Sequence, residues 1–293
     1  MWILSLHEEI LPPSDDYVFK AILTHPDAKP ALMDLISIII RRTVADVQIR
    51  NNELPSGDVN EKNERLDVNC VIDDGSQVDV EMQGSKIEML DGGHDSFINK
   101  TVYYLTDLHS SQKSKGIKYA DLVQTYQITF SAHDVFKWPE YVTEASLRTQ
   151  DGIQISDQIN MIIIELNKLG DVLKKPVGEM TPLEMWSAFL GYAADPEKRK
   201  VINEVLERKE AIGMAATVLA AISKDEHERA KFLSRRKFET DMTSNLLTVE
   251  ERGRLNGRLN GLREAACNMK AEGMPVETIA RLTKLSASEV EKL

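Results

Sequence analysis

The sequence predicts an α/β domain followed by an all-α C-terminal region. Helix and strand signals alternate up to about residue 175, strand signals cease from Thr181 onward, and one early segment reads as a β-hairpin with a glycine in its turn. The boundaries that follow are 12–175 for the first region and 176–293 for the second.

Asp15 or Asp16 offers an N-cap for an opening helix through Phe19, Ile22 and Leu23. Pro30 suits the first turn of a second helix, Ala31 to Arg42, whose apolar stripe is Leu32, Leu35, Ile36 and Ile39/Ile40. Val44 to Arg50 reads as a strand, 51–64 as a loop, and Leu66–Ile72 and Gln77–Met82 as two alternating strands. A helix is expected from about Ser96 to Gln112, with Phe97, Tyr104, Leu105 and Leu108 on one face and Gly116 stopping the chain beyond it. Tyr119 to Phe130 and Met161 to Leu166 are the remaining strand candidates. Helix, three-stranded meander, helix and strand make an α/β arrangement rather than a bundle.

In the second region Thr181-Pro182 with Glu184 is a helix start, and the composition then favours three or more helices. Residues 253–261 repeat as Gly-Arg-Leu-Asn-Gly-Arg-Leu-Asn-Gly. Each exposed helical glycine costs about 1 kcal/mol against alanine. Two readings stay open: a loose linker, or a glycine face laid against another backbone. Two short helices, around Val276–Leu282 and Ser286–Leu293, close the chain.

Composition narrows the function. With 42% hydrophobic and 28% charged residues, the chain is of ordinary soluble type. The N-terminal stretch lacks a basic segment before its first acids, so no secretory signal is expected. No apolar run approaches the roughly 18 residues of a membrane span. Cys70 and Cys267 form neither a disulfide framework nor a zinc motif, and a cytoplasmic setting is the expectation. The net charge of −11 argues against a protein that simply coats DNA. That charge lies in residues 1–175, where 17 basic residues face 28 acidic ones; residues 176–293 hold 19 of each. An acidic region can still meet phosphates where bound cations neutralise its carboxylates.

The hairpin carries the chemistry. Alternation puts Leu66, Val68, Cys70 and Ile72 on one face with Val78, Val80 and Met82, and turns Asp67, Asn69, Asp79, Glu81 and Gln83 to the other. A two-residue turn at Asp74-Gly75 would pair Asp67 with Met82 and mix the faces. A three-residue loop, Asp73-Asp74-Gly75, pairs Ile72 with Ser76, Val68 with Val80 and Asp67 with Glu81, and gives Gly75 the left-handed position that glycine favours. Facing carboxylates repel unless a divalent cation lies between them, and their oxygens suit Mg²⁺ or Mn²⁺. Gln83 points into the same site. A solvated acidic outer face is the alternative reading of the same alternation.

Several fragments together resemble the Rpn family, the recombination-promoting nucleases and transposase-like proteins of the PD-(D/E)XK nuclease superfamily. They are Ser14-Asp-Asp-Tyr-Val-Phe-Lys20, Arg65-Leu-Asp-Val68, Val80-Glu-Met-Gln83, Tyr103-Tyr104, Gly116-x-x-Tyr119 and Ile163-Ile-Glu-Leu-Asn-Lys168, then the Gly-x-x-x-Gly repeats and Thr278 to Ser286. The resemblance implies a restriction-endonuclease-like core and metal-dependent cutting of DNA, associated with recombination and mobile elements. It implies that Asp67 and Glu81 bind the metal, joined by the Met82 backbone carbonyl. Gln83 stands where the superfamily usually has lysine; being neutral, it is assigned positioning of water or phosphate. Asp16 is a further active-site carboxylate by resemblance and a helix cap by local reading.

Lys100, Lys113, Lys115 and Lys118 read as a solvated face with phosphate gripping as the alternative, and Tyr103 and Tyr104 read as core packing rather than base stacking. Glu165 is open between a salt bridge with Lys168 and a catalytic part. His94 is assigned nothing. The terminal helices resemble a helix-turn-helix without a basic stripe, leaving DNA contact and self-association, and hence a homo-oligomer, equally open. The expected function is a Mg²⁺-dependent DNA endonuclease. Its rivals are an RNase or toxic nuclease on the same site, and an inactive nucleic-acid-binding or assembly protein.

Overall fold

Two consecutive aspartates open the first helix, and the earlier one caps it. In the computed structural model, which describes residues 3–6, 8–50, 68–84, 93–112 and 118–293, helix α1 is Asp16–Leu23. The Asp15 carboxylate accepts hydrogen bonds from the Tyr17 and Val18 amides, satisfying donors that a helix start leaves open. Helix α2, Lys29–Ile40, has its proline in the first turn and ends at Arg41 in the left-handed conformation (φ 58°). Its stripe of Leu32, Leu35, Ile36 and Ile39 is buried, as the 3.6-residue period requires.

Among the described residues the sheet has six strands: β1 (Val47–Ile49), β2 (Val68–Ile72), β3 (Gln77–Gln83), β4 (Thr125–Ser131), β5 (Val142–Arg148) and β6 (Gln154–Glu165), in the order β1-β2-β3-β4-β6-β5. β1, β2 and β3 are antiparallel neighbours, β3–β4 and β4–β6 are parallel, and β5 returns antiparallel to β6. Parallel neighbours need a crossover; between β3 and β4 the chain passes through helix α3, Gly93–Ser110.

Val78, Val80, Met82, Tyr126, Ile128, Phe130, Ile162 and Ile164 form one face of the central strands. They are buried in one core with α1, α2 and three later helices, α4 (Pro182–Tyr192), α5 (Arg199–Arg208) and α6 (Glu210–Lys224). Thr181 and Glu184 make a reciprocal capping box at the start of α4. α3 lies on the opposite face, against β3, β4 and β6, where Phe97 packs with Val135 and Ile163. Strand β3 is therefore buried at every residue, its polar side chains included.

Two segments depart from the sequence expectation. The run from Tyr119 begins as a 3₁₀ turn, Tyr119–Asp121, and becomes strand only at Thr125. β5, and the polar first half of β6, carry no hydrophobic period: most of β5 is exposed, and the pair is set instead by a hairpin turn with Gly152 at φ 80°.

The C-terminal end of α3 is tied to β4 by His109 Nδ1, 2.9 Å from Thr125 Oγ1, and by the Gln112 side chain, which bonds both the amide and the carbonyl of Val123. Burial pulls the His109 pKa below its ordinary 6.5. The folded state thus binds this proton less readily than the unfolded chain, so stability is intact above about pH 6.5 and falls as the pH drops through it. The expected result is that melting temperature falls between pH 7.5 and 5.5 and that His109→Gln flattens the decline; an unchanged slope in the variant rejects the assignment.

The chain forms two compact units, Met1–Lys237 and Phe238–Leu293. Strands end by residue 165, whereas the first unit continues to Lys237 because α4–α6 complete the core of the sheet. Helix α7, Glu226–Ala271, is continuous through the glycine repeat. The repeat is helical rather than a loose linker, and within this chain nothing lies within 4 Å of where a Cβ would stand on Gly253, Gly257 or Gly261. In the second unit Ala266, Ile279, Leu285 and Val290 form a small core between the end of α7 and helices α8 (Val276–Thr283) and α9 (Ala287–Lys292). Among the described residues no helix is long and apolar enough to cross a membrane.

Candidate active site

The β2–β3 turn has the three-residue form. Gly75 sits at φ 87°, its amide bonds the Ile72 carbonyl at 2.8 Å, and the Ile72 amide bonds the Ser76 carbonyl at 3.0 Å. Val68 pairs with Val80, Asn69 with Asp79 and Cys70 with Val78. Arg42 clamps the turn through an ion pair with Asp74 and a 3.2 Å bond to Ser76 Oγ. Buried among the apolar side chains, the Cys70 thiol is pushed up to about 12, which keeps it protonated and inert. Asp67 lies outside the described residues, as do Lys113 and Lys115.

Asp79, Glu81 and Gln83 are 4%, 8% and 2% exposed. A solvated acidic outer face is thereby excluded, because α3 covers this side of the sheet. Burying a carboxylate is expensive unless it is paired, and Glu81 is paired twice. Lys100 Nζ, on α3, lies 3.2 Å from its Oε1, and Gln127 Nε2, on β4, lies 3.4 Å from its Oε2. Phe97, Thr101 and Leu105 turn into the sheet, so Lys100 and Tyr104, one helical turn apart, flank that seam on the β3 side. The Lys100 ammonium lies 5.6 Å from the centre of the Tyr104 ring. The solvated-face reading is thus corrected for Lys100 and fits Lys118, which is exposed. Glu81 thus has a counter-charge from the protein itself, which the strand alternation did not predict.

The surroundings are rich in acceptors. Asn69 Oδ1, Gln127 Oε1 and Thr129 Oγ1 are buried oxygens with no hydrogen-bond partner. Buried polar atoms are normally satisfied, so such a group points to a ligand, ion or water. Oxygen donors of this kind fit a hard divalent cation. Among the described residues no group of three or more His, Cys, Asp or Glu side chains is placed to hold a metal.

At the end of β3 the Gln83 carbonyl accepts from the Ala132 amide at 3.1 Å. The next residue, Gly84, donates its amide to Asp16 Oδ1 at 2.7 Å, and its carbonyl lies 2.9 Å from His133 Nε2. A Cβ on Gly84 would stand 2.3 Å from the Ser14 carbonyl oxygen, so only glycine permits this approach. Asp16 is therefore not the cap of α1: Asp15 caps, and Asp16 fastens the helix start to the end of the strand that carries Glu81 and Gln83. Burial pushes the Asp15 carboxyl up, against the amide bonds and the nearby Arg235 and Arg236 that favour its charge.

Glu165 makes the salt bridge with Lys168. It is fully buried, bonds Lys168 Nζ at 2.8 Å, and accepts from the Val135 and Phe136 amides at 2.6 and 3.1 Å. Both oxygens are thus engaged in holding the loop after β4. Tyr103 is 63% exposed, which corrects the core-packing expectation for that residue. His94 is exposed and contacts Asp95 and Phe136. Sequence reasoning missed Gly84, Gln127 and Lys20. Lys20 is 1% exposed one turn beyond Asp16, and a lysine in an otherwise apolar helix was the available signal.

A family model described as PD-(D/E)XK nuclease family transposase matches residues 13–248. No curated protein and no solved structure matches the chain.

Proposed function

The chain belongs to the PD-(D/E)XK nuclease family transposases, and from that premise we propose that it hydrolyses DNA phosphodiester bonds at Glu81 with the help of Mg²⁺ or Mn²⁺. The observation that carries this reading is a carboxylate buried among unsatisfied oxygens on the face of the sheet that α3 covers. Asp67 and Glu81 hold the cation, and the Met82 carbonyl completes the protein's share of its shell. Once bound, such an ion supplies a Lewis acid for the phosphodiester and lowers the pKa of a bound water. Gln83, fixed at the strand end by Gly84 and Ala132, orients water or a phosphate oxygen. Gln127 steadies the second oxygen of Glu81.

Lys100 takes the place of the lysine that position 83 lacks. Its ammonium is already at the acid and is partly buried, where a fixed positive charge acts on a phosphate more strongly than in water. Lys100→Met is expected to lower cleavage by roughly 100-fold or more. Divalent-ion binding, followed by calorimetry, should be retained or tightened, because a competing charge has gone. Weaker ion binding in the variant would show a merely structural lysine.

The overall test is plasmid cleavage by the full chain with Mg²⁺ or Mn²⁺, with and without chelator, beside an RNA of matched length. Cutting of DNA that chelation stops supports the reading. Cutting of RNA alone moves the activity to RNase, and no cutting of either leaves a binding or assembly protein.

A further inference from the structure

We infer that Tyr103 is a stacking platform for an unpaired DNA base, so that the strand entering this site is single-stranded or locally opened. The inference rests on the reading of Glu81 as a nucleic-acid site. Three contacts lead outward from that acid: Lys100 Nζ at 3.2 Å from Glu81, the Tyr104 ring centre 5.6 Å from Lys100, and the Tyr103 ring centre 5.8 Å from that of Tyr104. Exposure rises along the same path, from 8% at Glu81 to 63% at Tyr103.

The placement follows from the helix. Phe97, Thr101 and Leu105 face the sheet, so Tyr104, then Lys100, then Tyr103 step outward around the β3 side of α3, with Tyr103 on the outer surface of the helix. The side chains below this flank are Asp79 and Glu81. The Tyr103 and Tyr104 rings are inclined at 61°, edge to face. That contact occupies at most one face of the Tyr103 ring, and the residue is 63% exposed.

A large aromatic ring held open, one ring contact from the Tyr104 that carries Lys100, is poorly explained by packing. It matches the pairing of aromatic and cationic side chains that proteins use for single strands, where every base presents a π-face. In a duplex those faces are stacked on neighbouring bases, so the platform acts only on a base that has left its stack.

The experiment uses the full chain in a Glu81→Gln background with Mg²⁺, so that bound DNA is not cut. Anisotropy compares one oligonucleotide as single strand and as blunt duplex, and 2-aminopurine in the strand reports stacking by its quenching. Tyr103→Ala is expected to weaken single-strand binding about tenfold, to abolish the quenching and to leave duplex binding within twofold, while Tyr103→Phe keeps all three. Unchanged single-strand binding in Tyr103→Ala, equal losses on both forms, or no binding to either form overturns the platform. Cleavage by the otherwise wild-type chain is read in parallel. Cutting with Tyr103-independent binding rejects the platform alone; quenching that needs Tyr103, without cutting in any divalent cation, rejects hydrolysis and leaves the platform standing.

Discussion

Glu81→Gln is expected to abolish plasmid cleavage, by about a thousandfold or more, while the sheet stays folded. The substitution keeps the side chain's shape, and its remaining oxygen can still accept from Lys100 or Gln127, which reach it at 3.2 and 3.4 Å. The charge is lost together with one of those two contacts, and a neutral amide holds a divalent cation far more weakly than a carboxylate. Glu81→Ala is less clean. It strands the Lys100 ammonium, whose side chain is 26% exposed, at a cost of roughly 1–3 kcal/mol for a lost charged hydrogen bond. Pairing it with Lys100→Met should recover part of that stability without recovering activity, a coupling expected of groups in contact. Asp67→Asn should match Glu81→Gln in the cleavage assay. Cutting by Glu81→Gln within tenfold of wild type, with melting unchanged, would remove the active-site assignment.

The hairpin was legible because two independent signals agreed. Parity of the apolar residues allowed one register, and a three-residue loop ending in Gly75 produced that same register; the observed pairs Val68–Val80 and Cys70–Val78 follow it. What strand alternation could not reveal was where the polar face goes. The same alternation fitted a metal site or a solvated acidic face, and a helix arriving from later in the chain buries Asp79 and Glu81. Lys100 was misjudged for the same reason, since its partner is nineteen residues away in sequence. The cap at α1 was ambiguous because Asp15 and Asp16 are both good caps. The amide of Gly84, sixty-eight residues on, takes Asp16 away from that role. The linker reading of the glycine repeat failed because helix propensity is a weak prior, and α7 runs through three exposed glycines at its expense.

Gly84→Ala tests whether the start of α1 belongs to the site. The added methyl would meet the Ser14 carbonyl oxygen at 2.3 Å, the Asp16 carboxylate oxygen at 2.8 Å and Asp15 Cα at 3.3 Å. The carboxylate can swing aside, but the other two atoms are backbone, so α1 or the end of β3 must move as a unit. Neither moves cheaply, because α1 is buried from Tyr17 to Leu23 and every residue of β3 is buried. Overpacking of this kind, with the Asp16–Gly84 bond strained, costs about 3 kcal/mol, or roughly 6–12 °C in melting temperature for a unit of this size. Asp16→Ala removes the bond without the clash and should cost only about 1 kcal/mol. The two variants separate packing from chemistry when cleavage is measured well below both melting points. If Asp16 only fastens the helix, Asp16→Ala keeps near-normal cutting while Gly84→Ala loses it through a displaced Gln83. If Asp16 also serves as an active-site carboxylate, both lose cutting, and Asp16→Ala does so out of proportion to its small effect on stability. Melting of Gly84→Ala at the wild-type temperature would show that the strand end and the helix start are not locked together, and the geometric basis for placing Asp16 at the site would be gone.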